Sequence, residues 1–185
     1  MQFAKVGDSA PDFTMSVAKP GDTASTLGSK KSLADYNGKW LVLFFYPADF
    51  TLVCPTEITS LSDRSDEFEE LGAEILGVSV DSVHSHLAWT NLPRGANGIG
   101  KLKYPLASDS LKKVSREYGV LIENEGIALR GLFIIDPDGI LQYAVVNNLN
   151  IGRSTDETLR VLQALQTGGL CPSDWRPGKM MILDL

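Results

Sequence analysis

Residues 40–57 read Trp-Leu-Val-Leu-Phe-Phe-Tyr-Pro-Ala-Asp-Phe-Thr-Leu-Val-Cys-Pro-Thr-Glu, and within this stretch a strand pattern gives way to a helix pattern. The first seven residues, Trp40–Tyr46, are all apolar, which is typical of a strand buried on both faces of a sheet. Pro47 ends the strand because proline has no amide hydrogen to donate to a neighbouring strand. We therefore predict a central buried strand followed by a short loop.

A helix is predicted to begin at Cys54-Pro55-Thr56-Glu57. Proline suits the first turn of a helix, where its missing N–H costs nothing. Apolar residues then recur at the spacing of one helix face: Ile58, Leu61, Phe68 and Leu71. Cys54 thus lies at the positive end of the helix dipole, which favours the nucleophilic thiolate. Position alone leaves two interpretations open, a reactive thiolate and a buried apolar thiol.

The composition is that of an ordinary globular chain. Of 185 residues, 43% are hydrophobic and 22% are charged, and we expect one domain covering residues 1–185. The formal charge of −6 and the pI near 4.9 argue against nucleic acid or an anionic membrane as partners. No apolar run is long enough for a membrane span, and the first residues lack the apolar core of a signal peptide. Two cysteines in such a chain indicate catalytic use, so we expect a cytoplasmic protein.

Strand and helix patterns alternate along the rest of the chain. A second buried strand is predicted at Glu74–Val80. Leu129–Ile135 and Ile140–Val146 predict a hairpin around an Asp-Pro-Asp-Gly turn. Ser154 and Glu157 form a candidate capping box for a last helix. This order predicts an α/β layered domain with a mixed sheet.

Two further helices are predicted between these strands. The first is capped by Ser82 and ends before Pro93. The second has Leu111, Val114 and Tyr118 on one face and ends at Gly119.

The motif around Cys54 resembles that of a known family. Pro47, Thr51 and Cys54 reproduce the Pro-x-x-x-Thr-x-x-Cys motif of peroxiredoxins. The whole stretch is similar to their typical two-cysteine group, which includes the peroxidase component of bacterial alkyl hydroperoxide reductase. The resemblance extends from residues 7–13 to Cys171-Pro172-Ser173-Asp174-Trp175. It implies a thioredoxin-like fold, with a central mixed β-sheet and helices on both faces, and a peroxidase without a cofactor.

The resemblance also assigns roles around the first cysteine. Cys54 would be the peroxidatic nucleophile, which reduces hydrogen peroxide and organic hydroperoxides and becomes a sulfenic acid. Thr51 would place its hydroxyl against the peroxide and the sulfur, where the transition state needs polar partners. Pro47 would shield the thiolate from water.

Three charged residues complete the implied site. Arg130 would stabilise the thiolate and the developing oxyanion, although an arginine that begins an apolar strand is usually an edge residue. Glu57 and Arg153 resemble a second layer that holds Arg130. Without the resemblance they would be a solvated helix-start acid and a loop cation.

The C-terminal tail, residues 168–185, carries Cys171. The resemblance makes Cys171 the resolving cysteine, which condenses with the sulfenic acid to give a disulfide and water. In typical members the two sulfurs come from different subunits, so the resemblance implies a homodimer and often a decamer of five dimers. It implies thioredoxin or a flavoprotein disulfide reductase as the reductant. By itself, a tail cysteine could also be a free surface thiol.

Three other functions fit parts of the sequence. A zinc site could draw on His84 and His86, but there is no Cys-x-x-Cys pair and helix positions two apart face different ways, so we expect no metal. A thiol–disulfide oxidoreductase would need a cysteine at the position of Glu57. A holdase chaperone on the same fold would not use the thiol.

Overall fold

A seven-stranded mixed sheet organises the first of two compact units, Met1–Arg153, and the second unit is Ser154–Leu185. The computed structural model describes residues 3–182, so the last three residues of the predicted tail lie outside the described part. The strands are β1 (Thr14–Ala18), β2 (Lys30–Ser32), β3 (Trp40–Phe45), β4 (Ala73–Ser79), β5 (Leu106–Ser108), β6 (Leu121–Ile122), β7 (Ile127–Ala128), β8 (Arg130–Ile135) and β9 (Leu141–Asn147).

The strand order across the main sheet is β2-β1-β5-β4-β3-β8-β9. β3 runs parallel to β4, and β4 runs parallel to β5. The other neighbours in this sheet are antiparallel. β6 and β7 pair separately as a short antiparallel ribbon. The mixed sheet and the hairpin of β8 and β9 agree with the predicted α/β architecture.

Five α-helices are described in residues 3–182: α1 (Cys54–Asp63), α2 (Ser65–Glu70), α3 (Val83–Asn91), α4 (Lys113–Glu117) and α5 (Thr155–Thr167). The single helix predicted from Cys54 to Leu71 is therefore wrong, because Arg64 leaves the helical conformation (ψ 14°) and separates α1 from α2. None of the helices in this part of the chain has the length and apolarity needed to cross a membrane.

The start of α4 also differs from the prediction. Leu111 lies before the helix and its side chain is 84% exposed. The helix begins later because Lys112 is left-handed (φ 57°) and the Asp109 carboxylate accepts hydrogen bonds from the amides of Val114 and Ser115 (3.2 and 2.7 Å). The short polar side chain of Asp109, four residues before Lys113, thus determines where this helix starts.

β3 is buried on both faces, as predicted for Trp40–Tyr46. Successive side chains of a strand point to opposite faces. Phe45 packs against Tyr118, at the end of α4, with ring centroids 5.3 Å apart. Tyr46 packs against Trp89 of α3, with centroids 6.2 Å apart. Helices therefore cover both faces of the sheet around its central strand.

The pairing of β3 with β8 places the site. Phe44 lies opposite Leu132 in the antiparallel register, so β8 starts beside the point where β3 ends. Arg130, the first residue of β8, is consequently brought to the loop that follows β3. The same end of the sheet receives α1, which begins at Cys54.

Helix caps set the ends of α3 and α5. Ser82 accepts a hydrogen bond from the amide of Ser85 (3.2 Å), and Ser154 accepts one from the amide of Glu157 (3.1 Å). α5 ends at Thr167, and its C-cap residue Gly168 has a left-handed φ of 65°, which suits glycine. Both predicted N-caps are confirmed.

Candidate active site

Cys54 occupies the first position of α1, and its side chain is completely buried. Val53 is the N-cap residue. Pro55 lies in the first turn, as the sequence predicted. Because the first amides of a helix have no partner within it, the sulfur lies where partial positive charge accumulates. The loop from Pro47 to Val53 connects this position to the end of β3.

Arg130 reaches Cys54 from the neighbouring strand. Its Nη1 donates a hydrogen bond to Cys54 Sγ (3.3 Å) and another to Glu57 Oε2 (2.5 Å). Its Nε donates to the backbone carbonyl of Leu149 (2.7 Å). The guanidinium is thus held on two sides and directed at the sulfur.

Glu57 joins the two arginines of the site. It lies one turn after Cys54 on α1, and its Oε1 accepts from both the backbone amide and the Nε of Arg153 (2.7 Å each). Arg153 Nη1 also donates to the carbonyls of Phe45 (2.9 Å) and Gly131 (2.5 Å). Arg153 therefore ties the end of β3, the start of β8 and the first turn of α1 together.

The cluster around Cys54 carries a net positive charge. The side chains of Arg130, Arg153 and Glu57 are only 3–5% exposed, so water screens them poorly. Two guanidinium groups and one carboxylate leave one positive charge when Cys54 is a thiol. A thiolate makes the cluster neutral, and an adjacent arginine stabilises an anion that it contacts. The structure thus brings together Cys54, Glu57, Arg130 and Arg153, all four of which the sequence singled out.

Pro47 and Thr51 belong to the loop that leads from β3 to Cys54. Pro47 is buried directly after β3, and Thr51 is half-buried. The hydroxyl of Thr51 donates a hydrogen bond to the carbonyl of Ala48 (3.1 Å). That bond uses the hydroxyl proton and leaves oxygen lone pairs, so Thr51 can accept a hydrogen bond from a peroxide O–H.

A buried polar cluster supports this loop from beneath, and sequence reasoning missed it. Asp49 is 7% exposed and accepts hydrogen bonds from Tyr46 and His86 (2.9 and 2.8 Å). The predicted stretch contained Asp49, but apolar periodicity carries no signal for a polar contact made 37 positions away. His86 is packed inside, whereas His84 is exposed. Within residues 3–182, no three His, Cys, Asp or Glu side chains form a group that could hold a metal ion.

Cys171 lies in the second unit, after α5. It is a free, half-buried thiol. Its Sγ lies 3.4 Å from the hydroxyl of Thr167 and 3.7 Å from the carbonyl of Ala164. In the same unit, Arg160 donates a hydrogen bond to the carbonyl of Trp175 (3.0 Å), which anchors the tail to α5. Cys171 is therefore held against the C-terminal end of α5.

Comparison with known proteins identifies the family. The AhpC/TSA family model matches residues 6–144, and the chain belongs to this family. The Bacillus subtilis (strain 168) protein YkuU is 61% identical over 174 residues, which are 94% of this chain and 96% of that protein. The chloroplastic 2-Cys peroxiredoxin BAS1 of Hordeum vulgare is 55% identical over 179 residues, covering 94% of this chain and 83% of that protein.

Solved structures agree with the sequence relatives. The reduced 2-Cys peroxiredoxin of Plasmodium vivax matches with a TM-score of 0.89 and 42% identity, over 95% of this chain and 91% of that one. Mycobacterium bovis AhpC matches with a TM-score of 0.83 and 38% identity, over 95% and 100% of the two chains. The thioredoxin-like fold and the resemblance to typical two-cysteine peroxiredoxins are confirmed.

Proposed function

We propose that this peroxiredoxin reduces hydrogen peroxide and alkyl hydroperoxides with Cys54 as the nucleophile. The contact of Arg130 Nη1 with Cys54 Sγ at 3.3 Å, inside a buried cluster, is the observation that carries the proposal. A guanidinium in this position can stabilise a thiolate before the reaction and an oxyanion during it. Family membership supports peroxidase chemistry, and the geometry supports these residues as its agents.

The first chemical step follows from this geometry. The Cys54 thiolate attacks the terminal oxygen of ROOH, so an S–O bond forms, the O–O bond breaks, and the leaving alkoxide takes up a proton to become ROH. The sulfur is oxidised to sulfenic acid and the peroxide is reduced. Arg130 stabilises negative charge on the oxygens, and Thr51 accepts a hydrogen bond from the peroxide O–H. Pro47 keeps water away from the sulfur.

The second step uses Cys171 as the resolving thiol. Cys171 condenses with the sulfenic acid on Cys54, which forms a disulfide and releases water. Because Cys54 is completely buried, the first turn of α1 must open before the two sulfurs can meet. The proposal places the partner thiol on a second subunit of a homodimer, with assembly into a decamer of five dimers.

The proposal includes a reductant that returns the disulfide to two thiols, either thioredoxin or a flavoprotein disulfide reductase. It also includes a cytoplasmic location, since such a cycle needs a reducing compartment. Residues 168–185 act as the resolving tail of a single domain that covers residues 1–185.

Mass spectrometry under non-reducing conditions tests the cycle. The reduced protein, freed of reductant, receives one equivalent of hydrogen peroxide and is analysed intact and as peptides. We expect a covalent dimer linked from Cys54 to Cys171, and its loss in Cys54→Ser. A monomer with an internal Cys54–Cys171 bridge would contradict the intersubunit arrangement. An unreacted protein after minutes at neutral pH would refute the peroxidase assignment and favour a holdase.

A further inference from the structure

The support beneath the active-site loop is a buried hydrogen-bonded cluster around Asp49 and His86. The Asp49 carboxylate accepts from the Tyr46 hydroxyl (2.9 Å), from the Ser85 hydroxyl (2.7 Å) and from His86 Nδ1 (2.8 Å). The side chains of Asp49 and His86 are 1% and 0% exposed. Neither group belongs to the arginine cluster around Cys54.

The partners of the imidazole indicate which protons it carries. His86 Nε2 lies 3.2 Å from the carbonyl of Ala107, an oxygen that can only accept, so Nε2 carries a proton. His86 Nδ1 faces the Asp49 carboxylate, which also accepts from two hydroxyls. The Tyr46 hydroxyl lies 3.4 Å from the same nitrogen. Both ring nitrogens of His86 therefore have polar partners, and Nδ1 is the one that joins the ring to Asp49.

Two other titratable groups, Tyr46 and Asp81, also bind Asp49. Burial, followed by the charge of Asp49, raises the pKa of Tyr46 well above its usual value, so Tyr46 keeps its proton and donates to Asp49. Asp81 faces the loop rather than the ring, since its Oδ2 accepts from the backbone amide of Asp49 (2.8 Å) and from Ser79 (3.0 Å). The loop is thus anchored through the side chain of Asp49 and through its backbone.

This anchor fixes the backbone immediately before Thr51. Phe50 follows Asp49 with a left-handed φ of 59°, a strained conformation for a side chain of this size. Its ring packs on Trp89 of α3 with centroids 5.6 Å apart. α3 therefore holds the loop by Ser85, His86 and Trp89 together, and Thr51 and Cys54 lie at the end of the segment so held.

We propose that His86 is a positioning residue for peroxide reduction, which binds Asp49 through Nδ1 and so holds the loop from Pro47 to Val53 in its reactive shape. The inference rests on the proposed function of Cys54. It adds a second buried polar cluster to the site, placed on α3 and separate from the arginines. His86 acts through Asp49 and does not touch the reacting atoms.

Two substitutions separate the roles of the two ring nitrogens. The amide nitrogen of asparagine overlays Nδ1, so His86→Asn keeps the bond to Asp49. The amide nitrogen of glutamine overlays Nε2, so His86→Gln keeps the bond to Ala107 and loses the bond to Asp49. His84→Gln, on the exposed face of the same helix, is the matched control.

The first measurement is the second-order rate constant for oxidation of Cys54 by hydrogen peroxide. We expect His86→Gln to react at least about tenfold more slowly, since small displacements in an active site cost up to about a hundredfold. We expect His86→Asn and the control His84→Gln to stay within about threefold of the wild type. Equal rates for His86→Gln and His86→Asn would overturn the proposal.

The second measurement needs no variant that alters the site. In ¹⁵N-histidine-labelled protein, the chain's two histidines are distinguished with His84→Gln, and the ring signals of His86 report its protons. We expect these signals to show a hydrogen bond at Nδ1 of His86, and an Nδ1 without a hydrogen bond would overturn the proposal even if the variants fail to fold. A wild type that does not react with peroxide would instead refute the proposed function and leave the ring measurement valid.

Discussion

Glu57 supplies the negative charge that pairs with the two arginines near Cys54. It is the only acid in the described hydrogen bonds of the cluster, and it accepts from both Arg130 and Arg153. Removing one member of a buried ion pair leaves the others without compensation, which costs far more than the pair itself contributes. The neutrality of the thiolate state also requires this carboxylate.

The substitution Glu57→Gln tests this dependence while conserving volume. We expect the free energy of unfolding to fall by about 3–5 kcal/mol, and peroxide reduction to fall with it, because two guanidinium groups then share no carboxylate. Urea unfolding and the rate of Cys54 oxidation measure the two effects. Glu67→Gln is the control: Glu67 pairs with Arg64 on the surface and is 51% exposed, so its loss costs below about 1 kcal/mol. An equal loss of unfolding free energy in Glu57→Gln and Glu67→Gln would contradict this explanation.

For Tyr36 we expect the opposite effect of substitution on stability, because its buried hydroxyl has no hydrogen-bond partner among residues 3–182. Tyr36→Phe removes an unsatisfied polar group, so we expect stability at neutral pH to stay the same or rise by about 1 kcal/mol. Tyr118→Phe is the contrast, since the Tyr118 hydroxyl donates to the carbonyl of Pro11 (2.9 Å) and its loss should destabilise. A clear loss of stability in Tyr36→Phe, measured by urea unfolding, would refute the prediction.

The burial of Tyr36 also leads us to expect that stability depends on pH. Burial raises the pKa of Tyr36 above its usual value near 10, with Glu74 and Asp35 adding to the shift. Above that usual value the unfolded chain loses the proton while the folded chain keeps it, so stability falls as the pH rises. We expect Tyr36→Phe to lose less stability than the wild type between pH 9 and 11 in urea titrations. Parallel losses in both proteins would contradict the assignment.

At the scale of elements, α1 is held along its length by the segment that precedes β5. The Tyr104 hydroxyl donates to the carbonyl of Ile58 (2.7 Å), and the amide of Lys103 donates to Ser62 (3.0 Å). At the end of the helix, Arg94 forms a two-bond pair with Asp63 (2.6 and 2.9 Å). These ties oppose the opening of α1 that the proposed disulfide step requires.

Tyr104→Phe should therefore speed disulfide formation. Loss of one hydrogen bond costs about 1 kcal/mol, which corresponds to an increase of about fivefold in the open population of α1. Hydrogen exchange of the α1 amides measures the opening, and quenched mass spectrometry measures the disulfide. Tyr118→Phe, on the other face of the sheet, serves as the matched control and should leave both rates unchanged. Faster exchange without faster disulfide formation would show that opening of α1 does not limit the reaction.

At the scale of the whole molecule, the proposed cycle requires two chains. Cys54 and Cys171 belong to different compact units, and each is a free thiol. Mixing variants distinguishes an intersubunit from an intrasubunit disulfide. Only the intersubunit disulfide can form between two chains that each lack one of the cysteines.

Mixed Cys54→Ser and Cys171→Ser proteins test this requirement. After subunit exchange under reducing conditions and addition of peroxide, we expect a covalent dimer joining one chain of each kind. Non-reducing electrophoresis and mass spectrometry identify it. Each variant alone should give no Cys54–Cys171 link. Absence of the mixed dimer, with a cross-linked wild-type control in hand, would contradict the intersubunit cycle.

Local features of this chain were predictable from sequence. The apolar run of β3, the helix start at Cys54, the caps at Ser82 and Ser154 and the hairpin of β8 and β9 all depend on residues a few positions apart. The two wrong helix predictions also concern local structure. The break at Arg64 and the late start of α4 depend on backbone conformation and on a capping side chain, to which apolar spacing is insensitive.

The sequence by itself predicted that a helix starts at Cys54, and the family resemblance pointed to Cys54 as the nucleophile and to Arg130, Glu57 and Arg153 as its partners. Only the tertiary structure decided how these groups meet. Arg130 contacts Cys54 across 76 positions and Arg153 contacts Glu57 across 96, because antiparallel pairing of β8 with β3 brings them to one end of the sheet. The bond between Asp49 and His86 arises in the same way, from packing of α3 under the loop. Such contacts depend on three-dimensional distance, which the spacing of residues along a chain does not encode.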